Sequence, residues 1–347
     1  MEKRPATMRD IARLAGVNQS TVSRALNSSS AGAISAPVRR RVLSIAHTLR
    51  YHHNPSAVAL RTGATKAVLV VITDITDSYF SSIISGIEAV LVREGFSMIL
   101  HSLVHAGNRP RLEGLFHTYR LDGALLLGAL PDLPDPEILS LSDRGIPLVL
   151  IGRTVASGST SSVTADNRLG GCLCVSHLAD LGHRRIAVMR GPRGWPDFRQ
   201  RLEGLRREVS RRGSPRIEIS YYPCRSRMAE AGYEATAELL TKSRPTALVC
   251  LNDATAFGGI RAAAERGLRV PRDISVMGFD DDDLAAYADP PLTTIHQPRL
   301  EMGIRGTQEL IAAMRAQTAA ASRTAAPATT TILDVSLVVR SSTCPPA

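Results

Sequence analysis

A chain of 347 residues is too long for one small module and suits about two to three domains. With 44% hydrophobic and 21% charged residues it can bury a sizeable core, which excludes wholesale disorder. Its net charge of +10 is uneven: residues 1–64 hold ten basic side chains (Lys3, Arg4, Arg9, Arg13, Arg24, Arg39, Arg40, Arg41, Arg50, Arg61) against Glu2 and Asp10, so eight of the ten excess charges sit at the head.

A basic head on a near-neutral body is expected to bind a polyanion. Three short helices are expected within its first 50 residues. Thr7 and Asp10 form a capping-box pattern before an apolar stripe of Ile11, Ala12, Leu14 and Ala15. Gly16 supplies a tight turn, and a second helix near 18–26 turns Val22, Ala25 and Leu26 inward. After a polar loop over 27–33, Ser35 is expected to cap a third helix with Pro37 in its first turn and Val38, Val42, Ile45, Ala46 and Leu49 inside. Two helices joined by a glycine turn and braced by a third make a helix-turn-helix.

From Lys66 onward short apolar runs alternate with amphipathic helices. Strands are expected at 67–72, 96–103, 123–128, 147–152, 185–191, 217–223, 246–252, 274–280 and 330–340. The helices between them fall near 79–93, 108–119, 136–143, 167–181, 198–212, 228–241 and 254–266. Continuous apolar strands separated by helices specify doubly wound parallel sheets, here two α/β subdomains. Ligands of such folds sit at the carboxyl ends of strands, where this chain has Asp74 to Phe80, Asp166-Asn167, Asn252-Asp253 and Asp280-Asp281.

The segment MRDIARLAGVNQSTVSRALN (8–27) resembles the helix-turn-helix of the lactose-repressor (LacI/GalR) family of bacterial transcription regulators. The resemblance continues through YHHNPSAVALRTG (51–63), VTADN (163–167), LGHRRIAVMRGP (181–192), RLEG (201–204), the run 251–281 and PPLTTIHQP (290–298), and closes with LVVRSST (337–343). It implies a helix-turn-helix domain over 1–50 and a hinge helix or linker over 51–64. An effector-binding and dimerisation domain like the periplasmic binding proteins would follow over 65–343. Its N-subdomain is expected at about 65–162 and 295–325, its C-subdomain at about 163–292 and 328–343.

In such heads the second helix enters the major groove with its first side chains toward the bases. That assigns operator choice to Gln19 and Ser20, with Arg24 one turn on; arginine suits guanine and glutamine adenine. Thr21, Ser23 and the start of the first helix at Thr7 suit phosphate oxygens, and Asn27 closes the motif. In the implied hinge, Asn54 and Ala57 accompany Leu60, a bulky apolar residue on a small, polar segment that is expected to wedge the minor groove. The loop 28–33 is about two residues longer than the family's, by that comparison, and Pro55 lets a hinge helix begin there but not run upstream.

The resemblance also implies an effector cleft. Arg201 matches a cleft arginine, and Asn252 and Asp280 match positions that bond ligand hydroxyls. Gln297 follows in the third crossover, and Asp166 and Asp197 join the set. Tyr79 and Phe80 are placed to stack on a ring. Arg227 stands where the family often has an aromatic residue. Two arginines in one cleft would favour a sugar acid or sugar phosphate over a neutral sugar.

Other chemistry is excluded. The five cysteines contain no CxxC pair and suit reduced thiols, neither a disulfide framework nor a zinc site. Asp280 to Asp283 cannot all face one ion, and the pairs His101/His105 and His52/His53 find no third ligand. No G-x-S-x-G, Walker A or G-x-G-x-x-G pattern is present, so no enzyme, metal or cofactor is expected. Apolar runs are too short for a membrane span, and MEKRPATMRD lacks a secretory apolar stretch, which points to the cytoplasm and the nucleoid. The expected partners are double-stranded operator DNA, a sugar-like effector and a second copy in a homodimer. The alternative, a solute-binding protein without a DNA role, has no use for residues 1–60.

Overall fold

The computed structural model describes residues 6–26, 34–51, 65–103, 112–130, 133–155, 160–213, 216–319 and 328–347. The chain divides into two compact units, residues 1–65 and 66–347.

The first unit is built on α1 (Met8–Ala15), α2 (Gln19–Leu26) and α3 (Ala36–Thr48). The Thr7 and Asp10 side chains form the expected capping box, each reaching the other's backbone N–H. Gly16 then takes the left-handed conformation at φ 63° that lets the chain turn directly into α2. Ile11, Ala12, Ala15, Val22, Ala25, Val42 and Ala46 fill the core between the three helices. Two expectations fail. Leu14 is 56% exposed, because it lies on the flank of the arc formed by Ile11, Ala12 and Ala15. Ser35 holds the cap position of α3 but makes no side-chain cap bond.

The second unit contains two lobes. The first has a parallel sheet in the order β11-β5-β4-β3-β1-β2: β1 (Ala67–Ile72), β2 (Ser97–Ser102), β3 (Gly123–Leu127), β4 (Leu148–Ile151), β5 (Ser161–Ala165) and β11 (Thr330–Leu333). Its helices are α4 (Tyr79–Glu94), α5 (Leu112–Tyr119), α6 (Asp135–Asp143) and α11 (Arg299–Ala319). Along β1, Val68, Val70 and Ile72 face one cluster while Leu69 and Val71 face the other, so the strand is buried on both sides as its unbroken apolar run requires. The second lobe has a parallel sheet in the order β7-β6-β8-β9: β6 (Arg185–Arg190), β7 (Glu218–Pro223), β8 (Ala247–Cys250) and β9 (Ser275–Met277). It carries α7 (Asn167–Asp180), α8 (Pro196–Arg212), α9 (Ala229–Lys242) and α10 (Asp253–Glu265). An antiparallel pair, β10 (Thr294–His296) with β12 (Ser336–Val338), completes the set.

The lobe boundaries differ from the expected ones. Residues 163–165 and 330–333 belong to the first sheet, where β5 pairs with both β4 and β11. The polar run Ser161-Ser162 hid β5 in the sequence; sheet pairing and burial of Val163 and Ala165 make it a strand. The single strand expected at 330–340 is two short ones in different sheets. Helix α11 was not foreseen either.

Three helix pairs cross on glycine. A Cβ on Gly204 of α8 would lie 1.9 Å from the Arg168 carbonyl oxygen of α7, and one on Gly171 of α7 would lie 2.0 Å from the Arg201 carbonyl oxygen. Gly86 and Gly303 allow the same approach of α4 to α11, as do Gly232 and Gly258 for α9 and α10.

The far end of the second lobe holds residues 341–344. His183, buried, contacts the Cys344 carbonyl oxygen at 2.9 Å through Nε2 and the Thr246 hydroxyl at 2.9 Å through Nδ1. Since a carbonyl only accepts, the neutral ring carries its proton on Nε2. Burial lowers the pKa of His183, and also that of His177, which contacts Thr343. A depressed folded-state value means that this contribution is complete above the unfolded value of about 6.5 and is lost as pH falls through it toward the folded value. The melting temperature of the body should therefore drop between pH 7.5 and 5.5, and His183→Asn should flatten that slope. An unchanged slope in the variant would assign the effect to other groups.

Candidate functional site

In the first unit, Asn18 caps α2. Its Oδ1 accepts from Thr21 N at 2.8 Å and from the Ser20 and Thr21 hydroxyls, both at 2.7 Å. Gln19, Ser20 and Arg24 are exposed, whereas Val22 and Ala25 are buried. Arg24 lies back along the helix, its Nε 3.3 Å from the Ser20 carbonyl oxygen. Thr21 and Ser23 are half-buried, and Thr7 spends its hydroxyl on Asp10 at 2.6 Å. Asn27, Asn54, Ala57 and Leu60 lie outside the described residues. Asn18 is the residue the sequence reading passed over, although Asn before an apolar-periodic run is itself a cap signal.

In the second unit, strand-end loops of both lobes converge on Arg201. This arginine of α8 is 1% exposed, and its Nε donates to Asn167 Oδ1 at 2.8 Å. Its Nη1 donates to the Leu251 carbonyl oxygen and lies 3.2 Å from Asp280 Oδ1. The guanidinium stacks on Phe279 at 3.8 Å from the ring centre, with Asp197 at 3.8 Å from Nη2. Asp280 has φ 120°, a strained backbone for a residue with a side chain. Gln297 Nε2 donates to its Oδ1 at 2.6 Å.

Arg227, in the loop after β7, reaches the same cluster. It lies 2.9 Å from Asp77 and 3.7 Å from Asp280, over the rings of Tyr79, Trp195 and Phe80 at 4.7, 5.4 and 5.9 Å. Burial alone would lower its pKa, but Asp77 and Asp280 raise it, so it stays a cation. Tyr79 and Phe80, buried and edge-to-face, come from the first lobe at the start of α4. Burial first, then the charge of Asp280, pushes the Tyr79 hydroxyl up. Ser78 of that lobe donates to Asp282 at 2.7 Å, and Arg299 of α11 donates to the Asp281 carbonyl oxygen at 2.9 Å, so polar bonds tie the lobes beside the cluster.

Three of the expected effector residues also bond within the protein. Asn252 donates to the Arg227 carbonyl oxygen at 2.7 Å and accepts from Thr255 at 2.6 Å, so its amide fixes the loop that carries Arg227. Gln297 orients Asp280. Asp166 caps α7 through Leu169 N at 2.8 Å, and its neighbour Asn167 is the one that meets Arg201. Conversely, Asp77 and Asn167 fall in the expected strand-end segments without being named as effector residues, and Trp195 and Arg299 were not singled out. The lone tryptophan, framed by Gly194 and Pro196 after β6, was the available signal.

The five cysteines are free; burial pushes Cys174 up to about 12 and Cys224 up to about 11, which keeps those thiols inert. Among the described residues no helix is long and apolar enough to cross a membrane, and no group of three or more His, Cys, Asp or Glu is arranged to hold a metal.

The family model described as bacterial regulatory proteins, lacI family, matches residues 7–54, and a periplasmic binding protein-like domain matches residues 175–343. The HTH-type transcriptional repressor CytR of Escherichia coli (strain K12) is 33% identical over 341 residues, which is 97% of this chain and 96% of that protein. The chain belongs to the lacI family of bacterial regulatory proteins. This LacI-family regulator also superposes on the lac repressor dimer bound to operator and the anti-inducer ONPF with a TM-score of 0.83 and 27% identity, covering 98% of this chain and 100% of that one. A LacI-family regulator from Enterococcus faecium with bound ribose matches with a TM-score of 0.70 and 30% identity over 80% of this chain and 99% of that one. The chain is thus a DNA-binding transcriptional regulator with a small-molecule effector domain, and not an enzyme.

Proposed function

We propose that this regulator is a homodimeric repressor, acting in the cytoplasm on nucleoid DNA, whose operator affinity is set by a sugar-like effector in the cleft of its body. Two heads take the two half-sites of a near-palindrome, with Gln19, Ser20 and Arg24 toward base edges and Ser23 toward phosphates, while the Thr7 and Thr21 hydroxyls must exchange their bonds to Asp10 and Asn18 to donate to a phosphate. Asn27 closes that reader; Asn54, Ala57 and Leu60 belong to the hinge, with Leu60 the minor-groove wedge. A single head offers one recognition helix, so the symmetry of the site calls for pairing through the body.

The observation that carries the reading is the convergence of Arg201, Asp280, Asp197 and Arg227 with Tyr79 and Phe80 at strand ends of two lobes, on a chain that also bears an exposed, capped recognition helix. Effector contacts then change the relative position of the lobes, and the operator and effector equilibria are coupled through it. Asp166, Asn252 and Gln297 act by holding the elements that carry the contact residues.

Removing residues 1–63 should abolish operator binding and leave effector binding to the body unchanged. In the full chain Arg24→Ala should weaken operator binding by about 1–3 kcal/mol, with a much smaller loss on random DNA. Equal losses on both DNAs in gel-shift titrations would make Arg24 a phosphate contact only, and retained operator binding by the truncated body would overturn the reading.

A further inference from the structure

Arg201 and Arg227 share a cluster but not a state. Arg201 donates hydrogen bonds to Asn167 and the Leu251 carbonyl and is paired with Asp280. Arg227 is only 7% exposed, yet its guanidinium donates no hydrogen bond among the described residues. The Asp77 carboxylate is an ion-pair partner 2.9 Å from Nε that makes no hydrogen bond to it, and its other oxygen accepts from Tyr79 N at 3.0 Å. Asp280, at 3.7 Å from Nη2, is beyond hydrogen-bond range. Nearby, Asp197 Oδ1 is also buried without a partner.

A buried guanidinium with unused donors is costly, and its planar fork matches the two oxygens of a carboxylate or phosphate. A neutral hydroxyl would supply one acceptor and no charge. We propose, building on the effector reading above, that Arg227 anchors a single carboxylate or phosphate group of the effector, for which Asp77 is the resident counter-ion, while Asp197 Oδ1 accepts a hydrogen bond from a hydroxyl of the same ligand. The rings of Tyr79, Trp195 and Phe80 exclude water around the guanidinium and strengthen the pair. Asp77 belongs to the first lobe and Arg227 to the second, so the exchange takes place on the seam between them.

Calorimetry on the full-length chain tests this with matched pairs: ribose against ribose 5-phosphate, and glucose against gluconate and glucose 6-phosphate. The charged member of at least one pair should bind about tenfold tighter or more, and Arg227→Gln should erase that preference. Arg227→Lys, which keeps charge without the fork, should restore part of it. A second measurement needs no knowledge of the effector: inorganic phosphate should raise the melting temperature of Asp77→Asn, and the rise should vanish in Asp77→Asn/Arg227→Gln. Neutral members binding as tightly as charged ones overturns the proposal. So does a preference or phosphate response that survives loss of Arg227, or a failure of every anion to bind. Operator binding by the unliganded wild-type chain is scored separately: its failure strikes the repressor reading, while selectivity measured without DNA judges the anion anchor.

Discussion

Replacing Arg201 with glutamine is expected to destabilise the body by about 3–5 kcal/mol, because it removes the nearest cation from the buried Asp280 carboxylate and leaves it with the Gln297 amide and the more distant Arg227. At roughly 2–4 °C per kcal/mol for a domain of this size, the melting temperature should fall by roughly 6–20 °C. Two further outcomes separate charge from packing. Burial holds the Asp280 carboxyl above its ordinary range, against the pull of Arg201, Arg227 and Arg299. A folded-state value above the unfolded one means that the penalty for keeping the group charged is absent below the unfolded value and grows as pH rises through the folded value. The gap in melting temperature between variant and wild type should therefore narrow from pH 7.5 to pH 5. Arg201→Gln combined with Asp280→Asn should recover part of the loss, since both charges are then gone. A variant melting within about 2 °C of wild type, or a double variant no better than the single one, would show that the pair does not carry this energy.

Gly204→Ala should cost about 3 kcal/mol, the upper end of overpacking penalties, although alanine is the better helix former. The added Cβ meets the Arg168 carbonyl oxygen at 1.9 Å and its carbonyl carbon at 2.7 Å, and no rotamer change moves backbone out of the way. Helices α7 and α8 must separate, which displaces Asp197 and Arg201 and should also weaken effector binding. Gly114 of α5 is the control. A Cβ there meets nothing within 4 Å, so Gly114→Ala should gain about 0.5–1 kcal/mol. Parallel melting of the two variants checks the sign of each. If both move the same way, close helix approach is not what requires glycine at 204.

The head was the most legible part of the chain. Its capping box, glycine turn and helical spacing use residues within a few positions of each other, and the structure reproduces all three. The alternation of apolar runs and helices likewise gave the two parallel sheets. What escaped was set by partners far along the chain. β5 is a strand because β4 and β11 flank it, not because Ser161-Ser162-Val163-Thr164-Ala165 prefers to extend. α11 was missed, and its buried Gly303 finds its reason only in α4.

The cleft shows the same division residue by residue. Strand-end position and family resemblance together singled out Arg201, Arg227, Asp280, Tyr79 and Phe80, and the fold brings them together. Neither could say that Asn252 and Gln297 would turn their amides toward the protein, or that Asn167 rather than Asp166 would meet Arg201. From sequence alone this protein has a basic helix-turn-helix head, an α/β body and a family, because those follow from composition, short-range periodicity and a dense motif. Which arginine is hydrogen-bonded to the protein and which donates no such bond was decided by tertiary structure. Hydrogen-bond saturation depends on direction and on groups contributed from both lobes, and no local pattern of residues encodes either.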